Sequence, residues 1–124
     1  MPLEIKESRL EPDITVLHLS GRLELGSDSQ RLEELVAWLV GDGRLGVLLD
    51  LTQLEYIDSA GLGALAMIGG QVKHSGGRLV LAVREGRVKT VLQFARLNEI
   101  ITLAETVEQA ARLISGGPKA PETA

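Results

Sequence analysis

Residues 45–66 read LGVLLDLTQLEYIDSAGLGALA, and this stretch contains the transition that decides the fold. Its first part is almost continuously apolar, which is typical of a strand covered on both faces in a parallel sheet. The later part predicts a helix that begins near Ser59 or Ala60, because its apolar residues recur every three or four positions. A buried strand followed by a helix indicates an α/β fold with a parallel sheet.

The sequence before this stretch predicts two strands and a helix. The strands span residues 3–10 and 14–19, and they form an antiparallel edge because only a short turn joins them. The helix places apolar residues on one stripe between residues 32 and 40. Short polar side chains at a helix start accept hydrogen bonds from first-turn amides, so one of them is expected to cap this helix. The candidates are Ser27, Asp28 and Ser29.

The sequence after this stretch continues the alternation. The predicted elements are a strand at 78–83, a helix around 88–95, a strand at 100–103 and a helix at 107–114. Thr106 and Gln109 have the capping-box spacing at the start of the last helix. Together the patterns predict one α/β domain over residues 3–115, with a mostly parallel mixed sheet of about five strands and about four helices. Residues 116–124 are expected to form a mobile tail.

Composition narrows the function classes. The chain has 124 residues, of which 44% are hydrophobic and 24% charged, as expected for one globular domain. Trp38, Tyr56 and Phe94 are its only aromatic residues, so the core must be aliphatic and bases have few rings to stack on. A net charge of −4 provides no basic face for phosphate backbones. Direct nucleic-acid binding is therefore not expected.

Metal, disulfide and membrane functions also find no support in the sequence. The chain has no cysteine and two histidines, and neither histidine lies at a metal-ligand spacing from other candidates. No apolar run approaches the length of a membrane span, and the first residues lack the pattern of a secretory signal. The expectation is a cytoplasmic protein without metal or cofactor.

Residues 56–63, YIDSAGLG, form the most unusual local sequence. In one interpretation Asp58 or Ser59 caps the helix and the glycines permit close packing. In the other, the Ser59 hydroxyl at the helix start is a site for phosphate, since free amides and the helix dipole favour an anion there. The residues alone leave both interpretations open.

Enzymatic alternatives fit less well. A G-x-G-x-x-A spacing begins at Gly61, but residues 55–60 separate it from the predicted strand, and Asp58 would place a negative charge near a pyrophosphate. Ser59 lacks the G-x-S-x-G elbow of hydrolases, and neither histidine can be assigned to it. Asp50 ends a buried strand without the acidic cluster that would bind magnesium, so a structural role is expected.

Several segments of the sequence resemble a known family. Residues 49–52 (LDLT), 56–65 (YIDSAGLGAL) and 76–81 (GGRLVL) are similar to the STAS domain family, in particular to bacterial anti-sigma factor antagonists. Residues 21–24 (GRLE) resemble the family's G-x-L-D segment. The resemblance covers residues 3–115 and implies the STAS fold.

The resemblance implies a regulatory binding module and no enzymatic activity. In the family, an ATP-dependent serine kinase that is also the anti-sigma factor phosphorylates the serine after the aspartate. The unphosphorylated antagonist binds that kinase and releases the sigma factor, and a PP2C-type phosphatase restores the unmodified form. By position the phosphoacceptor is Ser59. The expected partner-binding residues are Asp58, Ser59, Ala60, Gly61, Leu62, Gly63 and Glu24.

Two departures from the family pattern affect these expectations. Glu24 replaces the family's aspartate, and Ala60 stands where serine or threonine is common, so Ser59 is the only hydroxyl in the D-S-x-G-x-G core. An alternative function is an unphosphorylated STAS scaffold in a sensor or lipid-transport complex. A more remote alternative is a nucleotide-dependent enzyme. The sequence identifies neither the sigma factor nor the oligomeric state.

Overall fold

The computed structural model describes residues 2–11 and 13–116, and the predicted tail beyond Gly116 lies outside these residues. Five strands form one sheet in the order β1-β2-β3-β4-β5. Strand β1 pairs antiparallel with β2, and the other neighbours are parallel. The predicted mixed α/β sheet is confirmed. The strands are β1 (Glu4–Glu11), β2 (Ile14–Leu23), β3 (Gly46–Ile57), β4 (Arg78–Ala82) and β5 (Thr102–Ala104).

Helices cover both faces of the sheet. Side chains of the first three helices pack into the larger apolar cluster on one face, and the last helix packs on the other face over a smaller cluster. Each helix therefore buries an apolar side against the sheet, as connections between parallel strands require. The helices are α1 (Ser27–Gly41), α2 (Ser59–His74), α3 (Arg87–Phe94) and α4 (Val107–Ser115).

The core is aliphatic, as predicted. Leu48 and Leu49 on the central strand β3 are completely buried and belong to the clusters on opposite faces of the sheet. Trp38 and Phe94 are 58% and 87% exposed, and Tyr56 is half-buried. Packing of branched aliphatic side chains on both faces explains the continuous apolar sequence of β3.

The strands β2 and β3 are longer than the sequence patterns predicted. Strand β2 continues to Leu23, beyond its predicted end at Leu19, and β3 continues to Ile57, beyond the apolar run of residues 45–51 that predicted it. Their parallel pairing persists through two register shifts until Leu23 lies opposite Ile57. Pairing with a neighbour maintains the strands where polar residues interrupt the apolar pattern. As a result, β3 ends one residue before Asp58, directly at the start of α2.

The prediction for the cap of α1 was wrong, whereas the prediction for α4 is confirmed. Gly26 is the N-cap of α1 and provides no side-chain hydrogen bond. The carboxylate of Asp28 instead accepts from the Leu3 amide at 3.1 Å. At α4, the Gln109 amide donates to the Thr106 hydroxyl oxygen at 3.0 Å. Asp28 therefore binds the N-terminal segment and does not cap α1.

The last strand also differs from its prediction. It spans Thr102–Ala104, whereas residues 100–103 were expected. A 3-10 helix over Leu97–Glu99 precedes it, and the Ile100 and Ile101 amides both donate to the Leu97 carbonyl oxygen. These bonds hold Ile100 outside the sheet, where its side chain is 65% exposed.

The conformation of Gly21 generates a stability prediction. Gly21 has a φ of +92°, and a Cβ atom there would collide with the Pro2 carbonyl oxygen. We expect Gly21→Ala to lower the free energy of unfolding by about 1–3 kcal/mol through strain and overpacking. As a control, Gly70→Ala on α2 places its Cβ in open space and should stabilise by up to about 1 kcal/mol. Urea unfolding measures both, and equal stabilities would contradict the prediction.

Candidate functional site

Asp58 fixes the start of α2. It is the N-cap residue in an extended conformation, and its Oδ1 accepts from the Gly61 amide at 2.8 Å. Its backbone carbonyl oxygen accepts from the Leu62 amide at 2.9 Å. Of the two residues proposed as caps from the sequence, Asp58 performs this role. The Ser59 side chain therefore does not cap the helix.

Asp58 also binds the segment that follows β2. Its Oδ2 accepts from the Leu25 amide at 3.0 Å, across 33 positions of the chain. Its own amide donates to the Leu23 carbonyl oxygen at 3.2 Å. One aspartate thus connects the end of β2 to the start of α2.

The Asp58 carboxylate is stabilised in its ionised form. Burial alone would raise the pKa of Asp58, but hydrogen bonds from the Gly61, Leu25 and Ala60 amides outweigh this effect and lower it. The carboxylate therefore places a fixed negative charge directly beside Ser59 at neutral pH.

Ser59 is the first residue of α2 and its side chain is exposed. Within residues 2–11 and 13–116, its hydroxyl makes no hydrogen bond. The Asp58 carboxylate already accepts from the Gly61 and Ala60 amides of the first turn, so the helix dipole is what favours an added anion at this position. The Ser59 hydroxyl is accessible to modification.

The two glycines of the motif have different environments. Gly61 is buried, and a Cβ atom there would lie 2.5 Å from the Leu23 carbonyl oxygen. Gly63 is exposed, and a Cβ atom there would meet nothing within 4 Å. The structure thus requires Gly61 for internal packing, whereas packing within the described chain does not explain Gly63.

The remaining predicted residues surround Ser59 on different elements. Ala60 and Leu62 are half-buried on α2, and Leu62 packs against the larger apolar cluster. Glu24 lies between the two residues that bind Asp58, so the fold brings its segment to the start of α2. Whether these residues contact a partner stays a prediction.

Glu24 has an ion-pair partner of its own. Arg22 Nε lies 2.6 Å from its Oε2, and the Arg22 guanidinium carbon lies 4.0 Å from the centre of the Tyr56 ring. The hydrogen bond to Glu24 raises the pKa of Arg22. This cation beside the site was not predicted from the sequence, although the pairing of Arg22 with Tyr56 in adjacent strands places the two side chains together.

Leu25 was not predicted from the sequence either. Its side chain is 81% exposed while its amide is bound to Asp58. Its position beside the polar residues of the site makes Leu25 a candidate contact residue, because protein interfaces combine apolar and polar contacts. The signal is weak in the sequence, because a single leucine after a strand has no periodicity.

The glycine motif does not form an open nucleotide loop. Strand β3 runs to Ile57, so fewer residues separate the strand from Gly61 than the sequence predicted. Gly61 nevertheless packs against Leu23 and is not available to a pyrophosphate. Among the described residues there is no group of three or more side chains that could hold a metal ion. In the same part of the chain, no helix has the length and hydropathy needed to cross a membrane.

The STAS domain family model matches residues 6–110, which include the whole site. The chain belongs to the STAS domain family. This STAS domain is 33% identical over 85 residues to BtrV of Bordetella bronchiseptica, which carries the name of an anti-sigma factor antagonist; the match covers 68% of this chain and 73% of BtrV.

Solved structures share the fold of this STAS domain. An anti-sigma factor antagonist from Mycobacterium paratuberculosis has a TM-score of 0.79 at 19% identity, covering 90% of this chain and 93% of that one. The Bacillus cell fate determinant SpoIIAA in its phosphorylated form has a TM-score of 0.68 at 19% identity, covering 87% and 96%. By sequence and by fold, this STAS domain groups with the anti-sigma factor antagonists.

The role of Asp58 generates a prediction with two readouts. Replacing an N-cap aspartate by alanine costs about 1 kcal/mol, so Asp58→Ala should lower the free energy of unfolding by at least that amount at neutral pH. Because the folded-state pKa of Asp58 is lowered, its ionic stabilisation is complete above the ordinary value of 3.8 and is lost as pH falls through the folded-state value. The difference from wild type should therefore shrink in acid.

The matched variant is Asp58→Asn, since asparagine is an equally good N-cap but has no charge to lose. It should retain more stability than Asp58→Ala and show the same reduced acid sensitivity. Urea unfolding at neutral pH and below pH 3.8 measures all three proteins. A difference between wild type and Asp58→Ala that is constant with pH would contradict the ionic contribution.

Proposed function

We propose that this protein is an anti-sigma factor antagonist that acts by phosphorylation-controlled partner switching. The unphosphorylated form binds an anti-sigma factor that is also a serine kinase, and this binding releases a sigma factor. The kinase phosphorylates Ser59 and so ends the complex, and a PP2C-type phosphatase restores the unmodified form. The observation behind the proposal is the exposed Ser59 hydroxyl, which has no hydrogen bond within the described residues and follows the fixed carboxylate of Asp58.

The charge distribution around Ser59 supports a phosphate switch. A phosphate adds about −1.5 to −2 charges at neutral pH. The start of α2 tolerates this charge because helix N-termini favour anions, so the domain stays folded. The Asp58 carboxylate already places a negative charge beside Ser59. A partner surface that fits the neutral Ser59 hydroxyl must desolvate the phosphate charges after phosphorylation without a cation placed to pair them, and this opposes binding.

The proposed partner-binding surface combines polar and apolar parts. Asp58, Ser59 and Glu24 provide the polar part, and Leu25 provides an exposed apolar side chain. Gly63 leaves open space on the exposed side of α2, four residues beyond Ser59, where a partner can approach the helix backbone. Leu25 provides apolar contact area and the neighbouring residues provide polar contacts, and protein interfaces combine the two.

The relatives support the regulatory character of this function. BtrV carries the name of an anti-sigma factor antagonist, and SpoIIAA is known in a phosphorylated form. We infer by analogy that the present protein is a regulatory binding protein of the bacterial cytoplasm and that its sites serve binding and modification.

Substitutions of Ser59 test the switch. The kinase to use is the one that serves as anti-sigma factor in the same host. Ser59→Ala should bind it as tightly as the unphosphorylated protein does, and phosphorylation should not end this complex. Ser59→Glu should bind more weakly by several kcal/mol, because its carboxylate imitates part of the phosphate charge in a desolvated contact. Isothermal titration calorimetry measures both affinities.

The matched control for Ser59→Glu is Ser75→Glu. Ser75 is an exposed serine at the opposite end of α2, so the substitution adds the same charge to the same helix outside the proposed surface. It should leave the affinity unchanged. Equal affinities of Ser59→Ala and Ser59→Glu would overturn the switch.

Phosphopeptide mapping tests the modification itself. In the protein purified from its native host, mass spectrometry should find a phosphate on Ser59 that a serine phosphatase removes. A chain that lacks this phosphate under several growth conditions would contradict the switch and favour the unphosphorylated scaffold. Partner binding by the unmodified protein would still be testable in that case.

A further inference from the structure

A second polar site lies on the sheet face opposite α1–α3, where three adjacent strands each contribute one residue. Ser8 Oγ on β1 lies 2.9 Å from His18 Nε2 on β2. His18 Nδ1 lies 2.7 Å from Asp50 Oδ2 on β3. A serine, a histidine and an aspartate are thus linked in the order found in serine hydrolases. Sequence analysis assigned no role to Ser8 or His18.

The partners of Asp50 determine the direction of these hydrogen bonds. Its Oδ1 accepts from the Thr52 hydroxyl at 2.6 Å and from the Thr52 amide at 3.0 Å. Burial would raise the pKa of Asp50, but the hydrogen bonds from Thr52 and His18 outweigh it and lower the pKa. An ionised carboxylate only accepts, so His18 Nδ1 must donate the proton. In the neutral ring, Nε2 is then the acceptor for the Ser8 hydroxyl.

The three hydrogen-bonded side chains are increasingly exposed to solvent from Asp50 to Ser8. The Asp50 side chain is 9% exposed, the His18 side chain is 40% exposed, and Ser8 lies exposed on the edge strand β1. Lys6 stands directly opposite His18, and Glu4 is the next residue of β1 on the same face. Helix α4 packs apolar residues on the cluster of this face. On β1 and β3, the charged residues next to His18 on the same face are Lys6, Glu4 and Asp50.

We propose that Ser8 is a modification site at which the protein accepts an acyl group from small activated esters. His18 Nε2 removes the hydroxyl proton while Ser8 Oγ attacks the ester carbonyl carbon. The Oγ–C bond forms, the bond from that carbon to the leaving oxygen breaks, and the proton passes from His18 to the leaving group. Asp50 stabilises the transient imidazolium, and the product is an ester of Ser8. This inference is independent of the proposed function at Ser59.

The acyl group should remain on Ser8 when the donor has a good leaving group. Acylation by p-nitrophenyl acetate expels the stable nitrophenolate, whereas hydrolysis of the product must expel a serine alkoxide. The second reaction is therefore slower than the first. We expect a burst of nitrophenol equal to one molecule per chain and a protein that has gained one acetyl group.

The experiment incubates the full chain with p-nitrophenyl acetate and locates the acetyl group by intact mass and fragment mass spectrometry. Ser8→Ala should lose the adduct, and His18→Gln should slow its formation about 100-fold because the general base is removed. Asp50→Asn should also slow it, because the asparagine amide can donate to His18 and disturb the tautomer. Ser8→Ala and His18→Gln change exposed or half-exposed side chains, so both keep the fold.

Ser59 is the internal control for Ser8, since it is also exposed but has no histidine partner among the described residues. Lysine amines such as Lys6 compete as nucleophiles, and hydroxylamine distinguishes the two products because it releases an ester from Ser8 and leaves an amide on lysine. Acetylation confined to residues other than Ser8 would overturn the proposal. An unchanged rate at Ser8 in His18→Gln would overturn it as well. Neither result bears on the binding affinities that test the switch.

Discussion

The carboxylate of Asp58 connects the parts of the chain on which the site depends. One oxygen accepts the Gly61 amide and starts α2, and the other accepts the Leu25 amide and holds the segment after β2. Each bond satisfies a backbone donor that the end of an element would leave unpaired. Because the same residue sets the position of both segments, Ser59, Glu24 and Leu25 have fixed relative positions before any partner binds.

This arrangement separates the stability of the domain from its regulation. The residues that hold the junction are Asp58 and Gly61, and the residue proposed to change its charge is Ser59. Ser59 makes no hydrogen bond within the described part of the chain, so modifying it breaks no contact of the fold. The ion pair of Arg22 with Glu24 lies close to the junction, and it neutralises the charge of the Glu24 carboxylate. A charge added here leaves the core unchanged.

Most of the fold could be predicted from periodicity, because the apolar residues of helices and buried strands repeat regularly. Continuous apolar sequence revealed β3, and the helical stripe revealed α1. The ends of the strands and the cap of α1 were harder to predict. The extension of β2 and β3 comes from pairing between strands, and the role of Asp28 comes from its contact with Leu3. Such contacts join residues far apart in the chain and leave no local pattern.

The same reasoning explains which site residues were missed. Ser59 could be predicted because its motif is contiguous. Ser8, His18 and Asp50 come from three strands, and their proximity depends on the register of two strand pairs. The sequence alone left those registers undetermined, since a shift by one residue moves every side chain to the other face.

The burial of Gly61 affects how a motif of this kind should be interpreted in other chains. Since Gly61 packs against Leu23 and Asp58 caps α2, both residues would be retained by any chain that keeps this junction, including one that never undergoes modification. Recognition of the aspartate and the glycine therefore reports ancestry and architecture. The architecture does not require the hydroxyl between them, and so the hydroxyl distinguishes a signalling protein from an inert descendant.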